Sequence, residues 1–145
     1  MLLTMNRTLK QLVDQTTTNQ FWVADDFEQA FDALGMTSVE TVFSFKQGQE
    51  LVKSNIASFR SRTAVDTQNP ESTFFLKRYN HAPVMVQLKN WLSGKKRRSN
   101  SMIELEPIVR LATQGIGVPR PIAHGQTWHG LFETQSFLAT EKRLS

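Results

Sequence analysis

The residue best suited to bind a phosphate group is Lys77, and the next acidic residue along the chain from it is Glu104. Lys77 lies in the segment Phe74–Tyr79, which is rich in aromatic and apolar residues and predicts a short β-strand. A strand places alternate side chains on opposite faces, so Lys77 shares its face with Phe75 and Tyr79. The segment fits two interpretations: an edge strand with solvated charges, or a rigid support that holds a lysine against a phosphate.

Glu104 lies in a predicted helix that opens after residues 99–101, whose Ser and Asn side chains suit helix caps. The apolar residues that follow at helical spacing predict the buried face of this helix; they are Leu105, Ile108, Leu111 and Ala112. Glu104 is expected to point inward as well. Because Pro107 lacks a backbone N–H, we expect it to kink the helix or to move its regular start towards Glu106.

The stretch between Glu71 and Glu104 contains no acidic residue but several basic ones, namely Lys77, Arg78, Lys89, Lys95, Lys96, Arg97 and Arg98. Its apolar residues predict a short amphipathic helix from Pro83 to Gly94. The basic run that follows, 95–98, has three interpretations. It is a solvated loop, a contact for anionic lipid headgroups or a phosphorylated substrate, or a nucleic-acid contact. The last is least favoured, because no aromatic platform or known binding module accompanies the run.

The remaining elements predict an α+β fold with about five antiparallel strands. Residues 1–20, rich in Thr and Gln, are expected to form a flexible lead-in. Helices are predicted over about 26–34, ending at Gly35, and over 38–45. Strands are predicted over 50–56, 58–65, 74–79 and 132–140, and 118–125 is interpreted as a proline-bounded edge strand with a turn.

Composition narrows the possible functions. A chain of 145 residues suits one domain, and its net charge of +4 agrees with a phosphate-bearing partner without requiring one. The absence of cysteine excludes disulfides and thiolate metal sites. The three histidines, His81, His124 and His129, lack metal-ligand spacing and are interpreted as surface or turn residues. Since no stretch has the length of a signal peptide or a membrane span, we expect a cytoplasmic protein.

The order of elements resembles the small lobe of a protein-kinase-like fold: two strands, a third strand with a lysine, a helix with a glutamate, and two more strands. In that fold the lysine contacts nucleotide phosphates and the glutamate holds the lysine in place. The chain is similar to the bacterial lipopolysaccharide kinases, which phosphorylate heptose and Kdo sugars of the inner core. The segments that carry the resemblance are 74–77, 87–92, the pattern from Glu104 through Ile108, Leu111 and Gly115 to Pro119, 123–125 and 136–141.

The resemblance implies a role for individual residues. Lys77 would contact the phosphates of ATP, and Glu104 would pair with it, with Glu106 as the alternative. The hinge that meets the adenine would be formed by Thr140, Glu141 and Lys142. The loop over the phosphates would be 55–59, with Asn55 and Ser58 as its binding residues. ATP is the implied cofactor, with Mg²⁺ expected only in the full-length enzyme.

The family's catalytic aspartate and metal ligands lie in a large lobe to which no position of this chain corresponds. We therefore expect residues 21–145 to form an ATP-binding small lobe that ends at the hinge and is inactive alone. The full-length enzyme would transfer the γ-phosphoryl group of ATP to a sugar hydroxyl. Residues 89–98 would then lie near the acceptor or the inner membrane surface. The alternative is a non-catalytic basic module that binds anionic lipid or nucleic acid.

Overall fold

The computed structural model describes residues 2–46, 49–53, 59–67 and 73–144. The helices are α1 (Leu2–Asp14), α2 (Glu28–Ala33, preceded by a 3₁₀ turn at Asp25–Phe27), α3 (Val39–Ser44), α4 (Val84–Gly94) and α5 (Asn100–Thr113). The strands are β1 (Gln20–Val23), β2 (Gln49–Lys53), β3 (Arg60–Val65), β4 (Phe74–Asn80), β5 (Pro119–His129) and β6 (Phe132–Leu144). The predicted α+β class and antiparallel sheet are confirmed.

The described strands form one antiparallel sheet in the order β1-β5-β6-β4-β3-β2. It has six strands because Gln20–Val23 forms strand β1, which pairs with β5 and adds to the five predicted strands. The lysine strand β4 lies between β3 and β6, so its interpretation as a solvated edge strand is wrong. Lys77 faces Arg62 on β3 and Leu138 on β6, which places it near the middle of the sheet.

Helices cover both faces of the sheet. On one face, α2 and α3 close an apolar cluster in which the rings of Phe31 and Phe74 stack with their centroids 5.0 Å apart. On the other face, α5 contributes Met102, Leu105 and Val109 to a second cluster, and Leu9 of α1 is buried there as well. Because side chains alternate along β4, Phe74 and Leu76 point to the first cluster, whereas Lys77 lies on the face covered by α5.

Helix α1 corrects the prediction that residues 1–20 form a flexible lead-in. Leu9, with Leu12 and Val13 close to it, packs against α5. These residues have the i, i+3, i+4 spacing of an amphipathic helix. The prediction was dominated by the polar Thr and Gln residues that follow Asp14. In the structure, these residues belong to the turn that leads into β1.

Helix α5 runs through Pro107 from Asn100 to Thr113, so the proline does not move the start of the helix to Glu106. The Ser99 hydroxyl caps the helix by accepting a hydrogen bond from the Met102 N–H. The buried apolar side chains are those of Met102, Leu105 and Val109. The prediction of a buried face was therefore correct for Leu105, whereas Ile108, Leu111 and Ala112 are only partly buried.

Three predictions about the last strands are also wrong. Strand β5 is not an edge strand, because β1 pairs with Ala123–Gln126; its prolines, Pro119 and Pro121, lie beyond that paired segment and coincide with register shifts. The turn predicted near Gly125 is absent from the described strand β5, which continues to His129. Strand β6 continues to Leu144 and does not leave the sheet at Thr140.

Candidate functional site

The centre of the candidate site is an ion pair between Lys77 and Glu104, with the Lys77 Nζ atom 2.9 Å from the Glu104 Oε2 atom. Strand β4 supplies the lysine and the overlying helix α5 supplies the glutamate. Glu106, the alternative partner, instead pairs with Lys96 at 3.0 Å and with Arg98 at 2.9 Å. Both side chains of the central pair are about one-third exposed, so the pair contributes roughly 1 kcal/mol to stability at most. Its main effect is to orient the lysine.

Tyr79 holds the carboxylate of the ion pair from the other side. It lies two residues after Lys77 on the same face of β4, and its hydroxyl donates a hydrogen bond of 2.6 Å to the Glu104 Oε1 atom. Burial, followed by the negative charge of Glu104, raises the pKa of Tyr79 well above its usual range. The hydroxyl therefore stays protonated and remains a donor, and both oxygens of Glu104 are engaged.

Arg62 brings a second cation to the site. It lies directly opposite Lys77 in the β3–β4 register. Its guanidinium carbon is 4.4 Å from the centroid of the Phe75 ring, and its Nε atom is buried without a hydrogen-bond partner in the described part of the chain. Two like charges directly opposite each other destabilise a sheet. An anionic ligand would relieve this repulsion, since Glu104 offsets only one of the two charges.

These side chains line a small cleft of about 150 Å³. Its walls are formed by Arg62, Phe75, Lys77, Glu104, Ile108, Pro119, Leu138, Thr140, Glu141 and Lys142. Typical small-molecule sites occupy roughly 300–1,000 Å³, so this cleft can enclose only part of a nucleotide. Its volume suits a phosphate-sized group next to an aromatic ring.

The structure brings five of the predicted nucleotide-binding residues to this cleft, namely Lys77, Glu104, Thr140, Glu141 and Lys142. Thr140 and Glu141 pair with Phe75 and Phe74 of β4. They are therefore part of the sheet, and their role as a hinge that meets the adenine stays a prediction. Asn55 and Ser58, predicted to bind the phosphates, lie outside the described residues.

The predicted basic segment is separate from the cleft and only partly free. Lys96 and Arg98 pair with Glu106, and the guanidinium of Arg97 lies 5.6 Å from the centroid of a Trp128 ring. Lys89 and Lys95 are exposed and form no ion pair with any described residue. Only part of the run predicted to contact an anionic partner is thus available for such a contact.

A buried polar network fixes the first turn of α5, and with it the position of Glu104. The Ser99 hydroxyl donates to the Gln126 Oε1 atom over 2.6 Å, and the Ser101 Oγ atom lies 2.7 Å from the His124 Nε2 atom. The other ring nitrogen of His124 lies 2.8 Å from the Gln20 Oε1 atom. That oxygen can only accept, so His124 is protonated on Nδ1 and accepts from Ser101 at Nε2.

His124 is wholly buried, so its interpretation as a surface or turn residue is wrong. Burial lowers the pKa of His124 to about 3, and the ring is neutral at ordinary pH. The contact with Ser101 has the atoms of a nucleophile and its base, but both residues are inaccessible to a substrate. Their role is to join α5 to the sheet.

Glu133 completes this attachment. Its carboxylate accepts hydrogen bonds from the Asn100 N–H at 2.9 Å and from the Ser136 hydroxyl at 2.8 Å. Burial raises the pKa of Glu133. A carboxylate at the first turn of α5 also faces the positive end of the helix dipole. No run of residues in the sequence indicates this network, because its members come from β1, α5, β5 and β6.

The fold and site together define an α+β protein in which an antiparallel sheet and a helix hold a pair of cations and a carboxylate beside a small cleft. No family model, no curated protein and no solved structure matches the chain. In the described ranges, no group of three or more His, Asp or Glu side chains could hold a metal ion. None of the helices over those same residues is long and apolar enough to cross a membrane.

Proposed function

We propose that this chain is the ATP-binding small lobe of a sugar kinase of the lipopolysaccharide-core type, in which Lys77 contacts the nucleotide phosphates. The observation that carries the proposal is the ion pair from Lys77 on a central strand to Glu104 on the helix that covers it. A lysine on a strand and a glutamate on a helix form such a pair in protein kinases, where the pair positions the lysine for the phosphates.

Bound ATP would supply the γ-phosphoryl group that the full-length enzyme transfers to a sugar hydroxyl. The residues of this chain provide binding and orientation. The Nζ atom of Lys77 donates to phosphate oxygens while Glu104, fixed by Tyr79, prevents the lysine from moving away. Arg62 adds a positive charge beside Lys77, which favours a phosphate group over a neutral ligand. Phosphoryl transfer itself, and the binding of Mg²⁺, belong to the large lobe in this proposal.

The edge of the cleft at Phe75 combines an aromatic ring with cations next to the proposed phosphate position. The ring lies beneath Arg62, and the Lys142 ammonium is 5.8 Å from its centroid. The Lys142 Nζ atom is also 3.6 Å from the Asp66 Oδ1 atom, and the Glu141 carboxylate pairs with the Arg120 guanidinium. The charges of Lys142 and Glu141 at this edge are therefore largely compensated by these partners. The net positive charge of the cleft is therefore concentrated at Arg62 and Lys77.

The test is a calorimetric or fluorescence titration of the chain with ATP. We expect saturable binding that weakens about tenfold or more in Lys77→Ala, because a hydrogen bond to a charged group contributes roughly 1.5–3 kcal/mol. Arg62→Gln should weaken ATP binding in the same direction. Lys10→Ala is the matched control, since it removes an exposed lysine of α1 far along the chain from the cleft. No saturable binding by the unmodified chain, or equal affinity in Lys77→Ala, refutes the proposal.

A further inference from the structure

Helix α4 presents apolar side chains to solvent along one side. Val84, Met85, Leu88 and Leu92 are 48%, 75%, 36% and 82% exposed, respectively. Their spacing of i, i+1, i+4 and i+8 places them within about 100° of one another around the helix. Surface helices normally direct such a stripe towards the core, so this arrangement needs a partner.

The orientation of α4 is fixed by contacts on the side of the helix next to the stripe. The Gln87 side chain is buried and donates to the carbonyl oxygens of Ala82 at 3.0 Å and Glu133 at 3.2 Å. The Trp91 ring stacks on Phe132 with the two centroids 5.3 Å apart. Because these contacts hold the polar and aromatic side of α4 against β6, the helix cannot rotate to bury its apolar stripe without breaking them.

The charges around the stripe are positive. Lys89 lies four residues after Met85 and three before Leu92, so it flanks the stripe directly. Lys95 ends the helix with its backbone in the left-handed conformation, and its side chain is exposed. The Lys96 side chain is about half-exposed, although it pairs with Glu106. The sequence has no acidic residue between Glu71 and Glu104 to oppose these cations.

We propose that α4 docks on an anionic membrane surface, with its apolar stripe in the headgroup region and Lys89 and Lys95 against lipid phosphates. An exposed apolar side flanked by lysines is typical of helices that lie in a membrane interface. A nucleic-acid partner would not use methionine, leucine and valine side chains, and the aromatic ring of α4 is already packed on Phe132. The proposal does not depend on ATP binding at Lys77.

Vesicle sedimentation tests this docking. The unmodified chain should bind vesicles that contain phosphatidylglycerol and should bind pure phosphatidylcholine vesicles much more weakly. The double variant Met85→Ser/Leu92→Ser should lose about tenfold or more of its partitioning, because it removes two apolar side chains that would enter the interface. Lys89→Gln/Lys95→Gln should weaken binding about 25-fold at low salt, about fivefold for each lysine.

Ile116→Ser is the matched control, since Ile116 is 48% exposed like Val84 but lies in the loop between α5 and β5. It should bind vesicles as the unmodified chain does, and Lys77→Ala should do the same. Three results would overturn the proposal: no binding to anionic vesicles, binding that survives Met85→Ser/Leu92→Ser, or sedimentation velocity showing that the stripe mediates association between copies of this chain without vesicle binding. The substituted side chains of α4, Lys95 and Ile116 are exposed, so those variants should keep the thermal unfolding temperature of the parent.

Discussion

His124 should make the stability of this protein depend on pH between pH 7.5 and 5.5. The ring is wholly buried, and its pKa of about 3 keeps it neutral in the native state across this range. In the unfolded chain the pKa of histidine is about 6.5, so only the unfolded state takes up a proton as the pH falls. Acid therefore favours unfolding, and the contribution of the neutral ring is lost progressively below pH 6.5.

The size of this effect follows from the two pKa values. When the pH falls from 7.5 to 5.5, proton uptake by this histidine stabilises the unfolded state by an equilibrium factor that rises about tenfold. The corresponding factor for the native ring stays almost unchanged, because its pKa lies well below this range. The free energy of unfolding should thus fall by about 1.4 kcal/mol from His124 alone. Glu133 acts in the opposite sense, because burial raises its pKa in the native state, so a lower pH favours the native state through this group.

Urea denaturation followed by tryptophan fluorescence at both pH values measures this change. The variant His124→Asn keeps a polar side chain near Ser101 and Gln20 but cannot titrate, and the contribution of Glu133 is common to both proteins. The pH-dependent loss of stability should be about 1.4 kcal/mol larger in the parent than in the variant. In addition, the imidazole resonances of native His124 should not titrate above pH 5. An equal pH dependence in the two proteins, or a native imidazole pKa near 6.5, would refute this account of the network.

Two further substitutions test the packing that positions the site. Tyr79→Phe removes the hydroxyl that donates a hydrogen bond of 2.6 Å to Glu104. We expect the free energy of unfolding, measured with urea, to fall by about 1 kcal/mol. The loss is modest because water can reach the partly exposed carboxylate and replace part of the hydrogen bond. Unchanged stability would show that the hydrogen bond does not hold the carboxylate. Gly125→Ala would place a Cβ atom against the Phe137 ring and 2.9 Å from the Val39 Cγ2 atom. It should lower stability by roughly 1–3 kcal/mol in the same assay, whereas an unaffected variant would contradict the close approach of the ring to β5.

Local patterns in the sequence were sufficient for several elements. The helices predicted over 26–34 and 38–45 correspond to α2 and α3, and α3 begins with a capping box between Ser38 and Thr41. The strands predicted over 50–56, 58–65 and 74–79 correspond to β2, β3 and β4, which pair antiparallel over their described residues. These predictions succeeded because helix and strand periods, caps and breakers act within a few residues of each other.

The sequence alone also indicated Lys77 and Glu104, since a lysine on an aromatic strand and a glutamate on a helix are visible as residue types. The sequence did not show the distance between these two side chains. It also did not show whether Glu104 or Glu106 would pair with Lys77. That choice depends on how α5 is rotated over the sheet. The rotation is set by the burial of Met102, Leu105 and Val109 and by the polar network at Ser99 and the residues beside it.

Arg62 and His124 show what only the tertiary structure decided. Arg62 joins the site because the β3–β4 register places it opposite Lys77, and register is a property of two strands together. His124 is buried because β1 pairs with β5 on one side and α5 covers the strand, two contacts between segments that are distant in the chain. The sequence by itself determined which side chains could bind a phosphate. Long-range pairing determined which of them meet, because the free energy that fixes register and helix orientation comes from burial shared among separate segments.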